Sequence, residues 1–349
     1  MIKTGIIGAA GYSGLELIKL LLDHPEVEIT RLFGFNSAGN RIDDVHPLLR
    51  GLITNEIHVY DEKLIAELDL LFIALPSGNA FPFVIDAYEK GIRVIDLGGD
   101  FRLNNINDYK TYYKHEHTAP GLANIAVYGL SELNEQEIKN AAIVANPGCY
   151  STSILLPLVP LLKENIITKD FISIVSYSGT SGAGKSVTEN MMFSEVNESV
   201  RAYKIGKHQH IPEITRYLLK FGGSDPNFSF VPHLLPITRG IYTTIQTKVN
   251  KSVNENLCIN LFTEYYSDSP FVRIVHPDIP EIKNVSGTNF CDIGCTINNG
   301  IITIISTIDN LIKGAAGQAI QNMNIMFRLE QTEGILKCSK KQYLKVQSI

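Results

Sequence analysis

KTGIIGAAGYSGLELIKLLLDH, residues 3–24, is the stretch whose reading decides the fold. A short β-type run, KTGIIGA, leads into a set of glycines, and GLELIKLLLDH follows with the apolar spacing of an amphipathic helix. Gly8, Gly11 and Gly14 make G-x-x-G-x-x-G, a variant of the dinucleotide fingerprint. Glycine suits the tight turn, the approach of backbone to a pyrophosphate and the packing of helix on strand. The helix N-terminus then offers free N–H groups to the anion. A plain tight turn also accommodates glycines, but their place between strand and helix favours a dinucleotide.

Working outward, the first half keeps the same alternation. VEITRLFGF, DLLFIAL, RVIDLGG and AAIVANPG read as strands, with FPFVIDAYEKG as a helix among them. Strands alternating with helices predict a parallel sheet covered on both faces. After Pro147 the pattern changes. STSILLPLVPLLKEN reads as a long apolar helix. FISIVSYS, NFSFVPHLLP, GIYTTIQTKV, FVRIVHP, NFCDIGCTIN and IITIISTID then follow as strands. An α+β domain on an antiparallel or mixed sheet is expected over 148–309, beside a Rossmann-type domain over 1–147. Residues 308–329, IDNLIKGAAGQAIQNMNIMFRL, read as a helix returning to the first domain, which region 310–349 completes.

The second strand candidate ends in LFGFNSAGNR, without the acidic residue that holds the ribose of NAD. Asn36, Ser37 and Arg41 suit a 2′-phosphate instead, so the expected cofactor is NADP. Bulk composition agrees with an enzyme of this kind. The 349 residues exceed what one core usually serves, and 44% are hydrophobic. A net charge of -5 leaves no basic footprint for nucleic acid or anionic membrane. No apolar run nears the roughly 20 residues that span a bilayer. Five cysteines at 149, 258, 291, 295 and 338 lack a disulfide framework, which points to a cytoplasmic protein with reduced thiols. Cys258 and Cys338 read as structural. Cys291 and Cys295 have no second pair to make a zinc site, and no metal is expected.

NPGCYSTSILLPL holds the most informative side chain. Pro147 and Gly148 turn the chain out of a strand, which puts Cys149 at the start of a helix. The N-terminal partial charge there favours thiolate and is expected to lower a pKa ordinarily near about 8.5. A thiolate is a nucleophile; an inert buried thiol is the alternative. GTSGAGKS, Gly179 to Ser186, satisfies the phosphate-loop pattern, yet the N-terminal fingerprint already fills the nucleotide role. His208 and His210, with Glu213 nearby, and His115 and His117 admit metal ligation, acid–base work or plain surface placement, and for His210, His115 and His117 the bland surface placement is expected. Arg102 in LGGDFRL lies at the carboxyl end of a strand, where a guanidinium can hold an anion bidentately.

GAAGYSGLEL, ALPSG (74–78), LGGDFR (97–102), NPGCY (146–150), SGTSGAGK (178–185), HQHIPEI (208–214) and KGAAGQA (313–319) together carry a resemblance over nearly the whole chain. It resembles the N-acetyl-gamma-glutamyl-phosphate reductase family of arginine biosynthesis, within the semialdehyde dehydrogenases. The resemblance implies a glyceraldehyde-3-phosphate dehydrogenase-like architecture and NADPH-dependent reduction of an N-acylated γ-glutamyl phosphate through a thioester on Cys149. It implies that His208 is the acid–base residue, with Glu213 orienting it. Arg102, Ser178, Ser181, Lys185 and Glu213 are expected at the substrate. Gly8, Gly11, Tyr12, Ser13 and Gly14 are expected at the cofactor, as are Asn36, Ser37 and Arg41. Pro76, Ser77, Gly182, Asn310 and Gln318 complete that set. SGTSGAGK then lines the catalytic cleft and is no ATP cradle. A homo-oligomer, dimer or tetramer, is implied. A related dehydrogenase of another N-acyl substrate and a P-loop hydrolase are the alternatives.

Overall fold

The computed structural model describes residues 1–185, 188–250 and 253–336. β1 (Ile2–Ile7) runs into the glycine turn, and the helix Tyr12–Leu22 follows it. The short apolar runs become β2 (Val27–Phe33), β3 (Ile57–His58), β4 (Leu70–Ile73), β5 (Arg93–Asp96), β6 (Val127–Tyr128) and β7 (Ile143–Ala145). They pair in the order β3-β2-β1-β4-β5-β7-β6, each pair parallel. Both faces are covered, which is why β4 is apolar throughout. Leu70 and Phe72 enter one core, Leu71 and Ile73 the other. The strand order reverses between β1 and β4, so the glycine turn stands at the switch point, where such sheets bind ligands.

The second sheet holds β8 (Ile172–Ser178), β9 (Arg201–Ala202), β10 (Phe228–Leu234), β11 (Ile241–Lys248), β12 (Val272–Ile274), β13 (Cys291–Asn298) and β14 (Ile301–Ile308). Its order is β12-β13-β14-β11-β8-β10-β9. The sheet is mixed: β8 pairs parallel with β10, and β12 with β13. The helix His210–Gly222 lies between β8 and β10 in the chain and makes the crossover that a parallel pair requires.

One face of this sheet packs on the helix Cys149–Lys163, whose residues from Tyr150 to Leu162 are all buried. Pro157 and Pro160 sit inside that helix without ending it. Pro160 deprives the Leu156 carbonyl of its helical donor. The Tyr266 hydroxyl supplies one instead, at 2.5 Å.

Residues 308–329 form less than one continuous helix. A wide π turn, Ile312–Ala316, precedes the α-helix Gly317–Met326. Ala319, Ile320 and Met323 of that helix enter the same core as Leu17 and Ile18. The turn before it places Gly314 directly against Cys149.

Candidate active site

The glycine turn has the shape a pyrophosphate needs. Gly8 has φ 83°, and a Cβ on it would stand 2.4 Å from the Ala74 carbonyl oxygen. A Cβ on Gly14 would meet the Gly8 carbonyl oxygen at 2.4 Å. Gly11 is more open, with only that oxygen nearby, at 3.3 Å. No side chain caps the helix that follows, and no acidic residue occupies its first turn. Its first N–H groups therefore remain available to an anion. The residues present fit a dinucleotide.

Lys185 was expected at the substrate, but its ammonium reaches across to the glycine turn and donates to the Ala10 carbonyl at 2.7 Å. It also lies 5.6 Å from the centre of the Tyr12 ring. A cavity of about 370 Å³ opens here, lined by Tyr12, Ser181, Gly184, Lys185, Met192 and Arg239 among others. Arg239 bonds Glu16 on the glycine helix, a second tie between the two sheets' domains. The GTSGAGK stretch is a 3-10 turn, Thr180–Ala183, and Gly184 follows at φ 78°. A phosphate loop would enter an α-helix here. Ser186 lies outside the described residues, as does Cys338.

Cys149 begins its helix, as expected, and Gly148 before it is extended. Yet burial dominates the thiol and pushes its pKa up to about 11. The Arg102 charge and the N–H groups of Tyr150 and Cys149 pull it down without prevailing, while Glu213 pushes it further up. The expected depressed thiol is thus corrected. A helix N-terminus is a partial charge, and it loses here to the removal of water.

His208 and His210 lie against Tyr150, their ring centres 5.4 and 5.9 Å from its own. The His210 main-chain N–H donates to His208 Nδ1 at 3.1 Å. Neutral His208 must then carry its proton on Nε2. Burial lowers the pKa of His208 to about 2, which keeps it neutral. His210, read from sequence as bland, is drawn into the site. A Cβ on Gly148 would fall 2.4 Å from His210 Nε2, and the Arg102 guanidinium lies 3.5 Å from that nitrogen. Its position three residues before Glu213 on one helix face was the available signal. His117 is structural: Nε2 contacts the Asp100 carbonyl at 2.8 Å and Nδ1 accepts from Ala119 N–H.

Other expected residues fall into two groups. Arg102 is buried and donates to the carbonyls of Asn146 and Leu97 at 2.8 and 2.9 Å. Glu213 contacts Gly148, Tyr128 and Arg102; it accepts no bond from His208, correcting the expectation that it orients that ring. Ser178 turns its hydroxyl onto the Gly179 carbonyl. On the cofactor side, Asn310 donates to Ser181 Oγ at 3.0 Å and accepts from Gly240 N–H at 2.8 Å. Gly182 is exposed beside them, as is Pro76 near the end of β4, and Ser77 accepts from Gly99 N–H. Ser13 is half-buried in the turn; Asn36 is exposed and Ser37 half-buried beyond β2. Arg41 is already paired, with both oxygens of Asp43 at 3.0 and 2.8 Å. Gln318 is fully buried and donates to Ser131, in a polar chain that continues through Asn322 to Asn146 beneath the Cys149 turn. Among the described residues no group of three or more His, Cys, Asp or Glu could hold a metal.

A parallel nucleotide-binding sheet, a mixed second sheet and a cysteine at a helix start define the class: a nicotinamide-linked semialdehyde dehydrogenase. Residues 3–141 match the family described as "Semialdehyde dehydrogenase, NAD binding domain", and residues 149–310 match "Semialdehyde dehydrogenase, dimerisation domain". The fold is similar to that of the Candida albicans aspartate semialdehyde dehydrogenase solved with NADP. That likeness has a TM-score of 0.72 at 17% identity, over 94% of this chain and 98% of that one. The Vibrio cholerae aspartate semialdehyde dehydrogenase II gives 0.71 at 16% identity, over 94% and 98%. The N-acetyl-gamma-glutamyl-phosphate reductase of Caldicellulosiruptor saccharolyticus is 46% identical over 96% of this chain and 98% of its own length. That of Alkaliphilus metalliredigens is 45% identical over the same shares. The chain belongs to the N-acetyl-gamma-glutamyl-phosphate reductase family.

Proposed function

We propose that this chain uses NADPH to reduce N-acetyl-γ-glutamyl phosphate to N-acetyl-glutamate 5-semialdehyde and inorganic phosphate, in arginine biosynthesis. The observation that supports the reading is Cys149 at a helix start with no side-chain cap, followed by Tyr150, whose ring packs against His208. The sulfur attacks the acyl carbon, an S–C bond forms, the C–O bond to phosphate breaks, and the thiol proton leaves with the departing phosphate as hydrogen phosphate. The thioester keeps the carbonyl electrophilic where a free carboxylate would not be. The glycine turn, with Tyr12, Ser13 and Lys185 about it, would hold NADPH, which would supply the hydride for that carbon. Asn36, Ser37 and the unpaired side of Arg41 meet the 2′-phosphate. Asn310 keeps Ser181 and Gly182 in place.

Negative charge builds on the carbonyl oxygen during attack and again before the C–S bond breaks. The N–H groups at the helix start and the Nε2–H of His208 are donors suited to that oxygen. With Nδ1 engaged and a pKa near 2, His208 acts as a neutral donor and does not take the thiol proton. When the aldehyde leaves, the sulfur regains its proton.

The chain works as a homodimer through the open face of the second sheet. Ile172, Ile174, Ile241 and Ile245 point into the core, so Val175, Tyr177, Val231 and Tyr242 lie on the opposite face, half-exposed. Cys149, Cys258, Cys291 and Cys295 are free thiols, which suits a reducing cytoplasmic setting. No helix of the described residues is long and apolar enough to cross a membrane. The test is phosphate-dependent NADP reduction with a panel of N-acyl glutamate semialdehydes. The N-acetyl compound should be fastest and NAD poorer; preference for another acyl group, or for NAD, contradicts the reading.

A further inference from the structure

Glu213 is fully buried on the His210 helix, and its carboxylate touches three separate parts of the site. Oε1 accepts from the Gly148 amide at 2.8 Å and from the Tyr128 hydroxyl at 2.7 Å. Oε2 faces the Arg102 guanidinium at 3.5 Å. Arg102 donates to the carbonyl of Asn146, two residues earlier in the same turn. The Asn146-Pro147-Gly148 turn is therefore gripped at both ends. Arg102 holds the carbonyl just after β7, and Glu213 holds the amide just before the catalytic helix. Pro147 between them has no N–H to contribute.

The grip is also charged. A buried carboxylate needs a partner, and Arg102 answers it. We propose that Glu213 is a positioning residue for the nucleophile: together with Arg102 it fixes the peptide before Cys149, and its charge offsets the guanidinium beside the sulfur. Gly148 is required for the same arrangement, since a Cβ there would strike the His210 ring. The inference rests on Cys149 being the nucleophile.

The field gives the test its sign. Arg102 pulls the Cys149 thiol pKa down and Glu213 pushes it up. Glu213→Gln retains an oxygen for the Gly148 amide but removes the charge. Its Cys149 should react with iodoacetamide roughly tenfold faster at neutral pH, as expected for loss of a nearby like charge. Turnover should nevertheless fall about 100-fold, because the neutral amide no longer secures the Arg102 guanidinium that holds the Asn146 carbonyl, with KM moving far less. Glu213→Asp keeps the charge and withdraws it by one methylene. Alkylation should then stay near wild type while turnover falls at least about tenfold. Wild-type turnover in either variant, or an unchanged alkylation rate in Glu213→Gln, overturns the proposal. Failure of the nucleophile reading shows separately, as a wild-type enzyme that forms no acyl adduct on Cys149.

Discussion

Gly314→Ala tests the packing behind the nucleophile. The added methyl would stand 2.6 Å from Cys149 Cβ and 3.2 Å from its Cα, where ordinary contact begins at 3.4 Å. Closing the larger shortfall takes a shift of about 0.8 Å. Neither atom is the free end of a flexible side chain, so the catalytic helix or the π turn must move. The φ of Gly314 is not in the left-handed region, so the effect is contact and not backbone strain. Overpacking of this kind costs about 1–3 kcal/mol of stability. A nucleophile displaced by nearly 1 Å loses roughly 100-fold in rate, or about 2.7 kcal/mol in the barrier. Phosphate-dependent NADP reduction measures the rate, and NADPH fluorescence titration shows whether the cleft still forms. Gly121→Ala is the control, since nothing lies within 4 Å of its new methyl. Turnover within threefold of wild type in a folded Gly314→Ala enzyme would refute the packing argument.

Other expectations follow from charge and burial. With its pKa raised to about 11, the free-enzyme thiol is ionised in only about one molecule in a thousand at pH 8. Iodoacetamide labelling of Cys149 should therefore rise about tenfold per pH unit up to pH 10, and a plateau below pH 7 would contradict this. Lys313 and Glu132 form a fully buried ion pair at 2.5 Å. Lys313→Met should lose about 3–5 kcal/mol in urea unfolding, and adding Glu132→Gln should recover part of it; a loss under about 1 kcal/mol would be contrary. Lys185→Ala should weaken NADPH binding about five- to tenfold by removing a charged donor at the glycine turn, and no ATPase activity should be measurable with or without the lysine. Unchanged cofactor affinity would remove Lys185 from the cleft.

What the sequence could say was set by how local the physics is. The first sheet was legible because burial on both faces leaves short apolar runs, such as Leu70 to Ile73, bounded by turns. Gly8 and Gly14 were legible because backbone crowding at a turn leaves no other residue type, while Gly11 was legible from its place in the spacing alone. The start of the catalytic helix could be read from Pro147 and Gly148. Its thiol could not, because the N-terminal charge is local while burial comes from residues far along the chain. Glu213 lies 65 positions from the Gly148 amide it accepts from, and no spacing reports that contact. His210 looked bland because nothing nearby in sequence reveals that it packs on Gly148. The pairing of Arg41 with Asp43 was a different kind of miss, since the two residues are near neighbours and their charges were in plain view. The wide turn at Ile312–Ala316 departs from the expected helix at the place where Gly314 must clear Cys149.

The most direct measurement is mass spectrometry of the enzyme mixed with N-acetyl-γ-glutamyl phosphate in the absence of any nicotinamide. The peptide bearing Cys149 should gain one N-acetylglutamyl group, released by hydroxylamine and absent from Cys149→Ser. An unmodified Cys149, or the same mass found on another residue, would contradict the account.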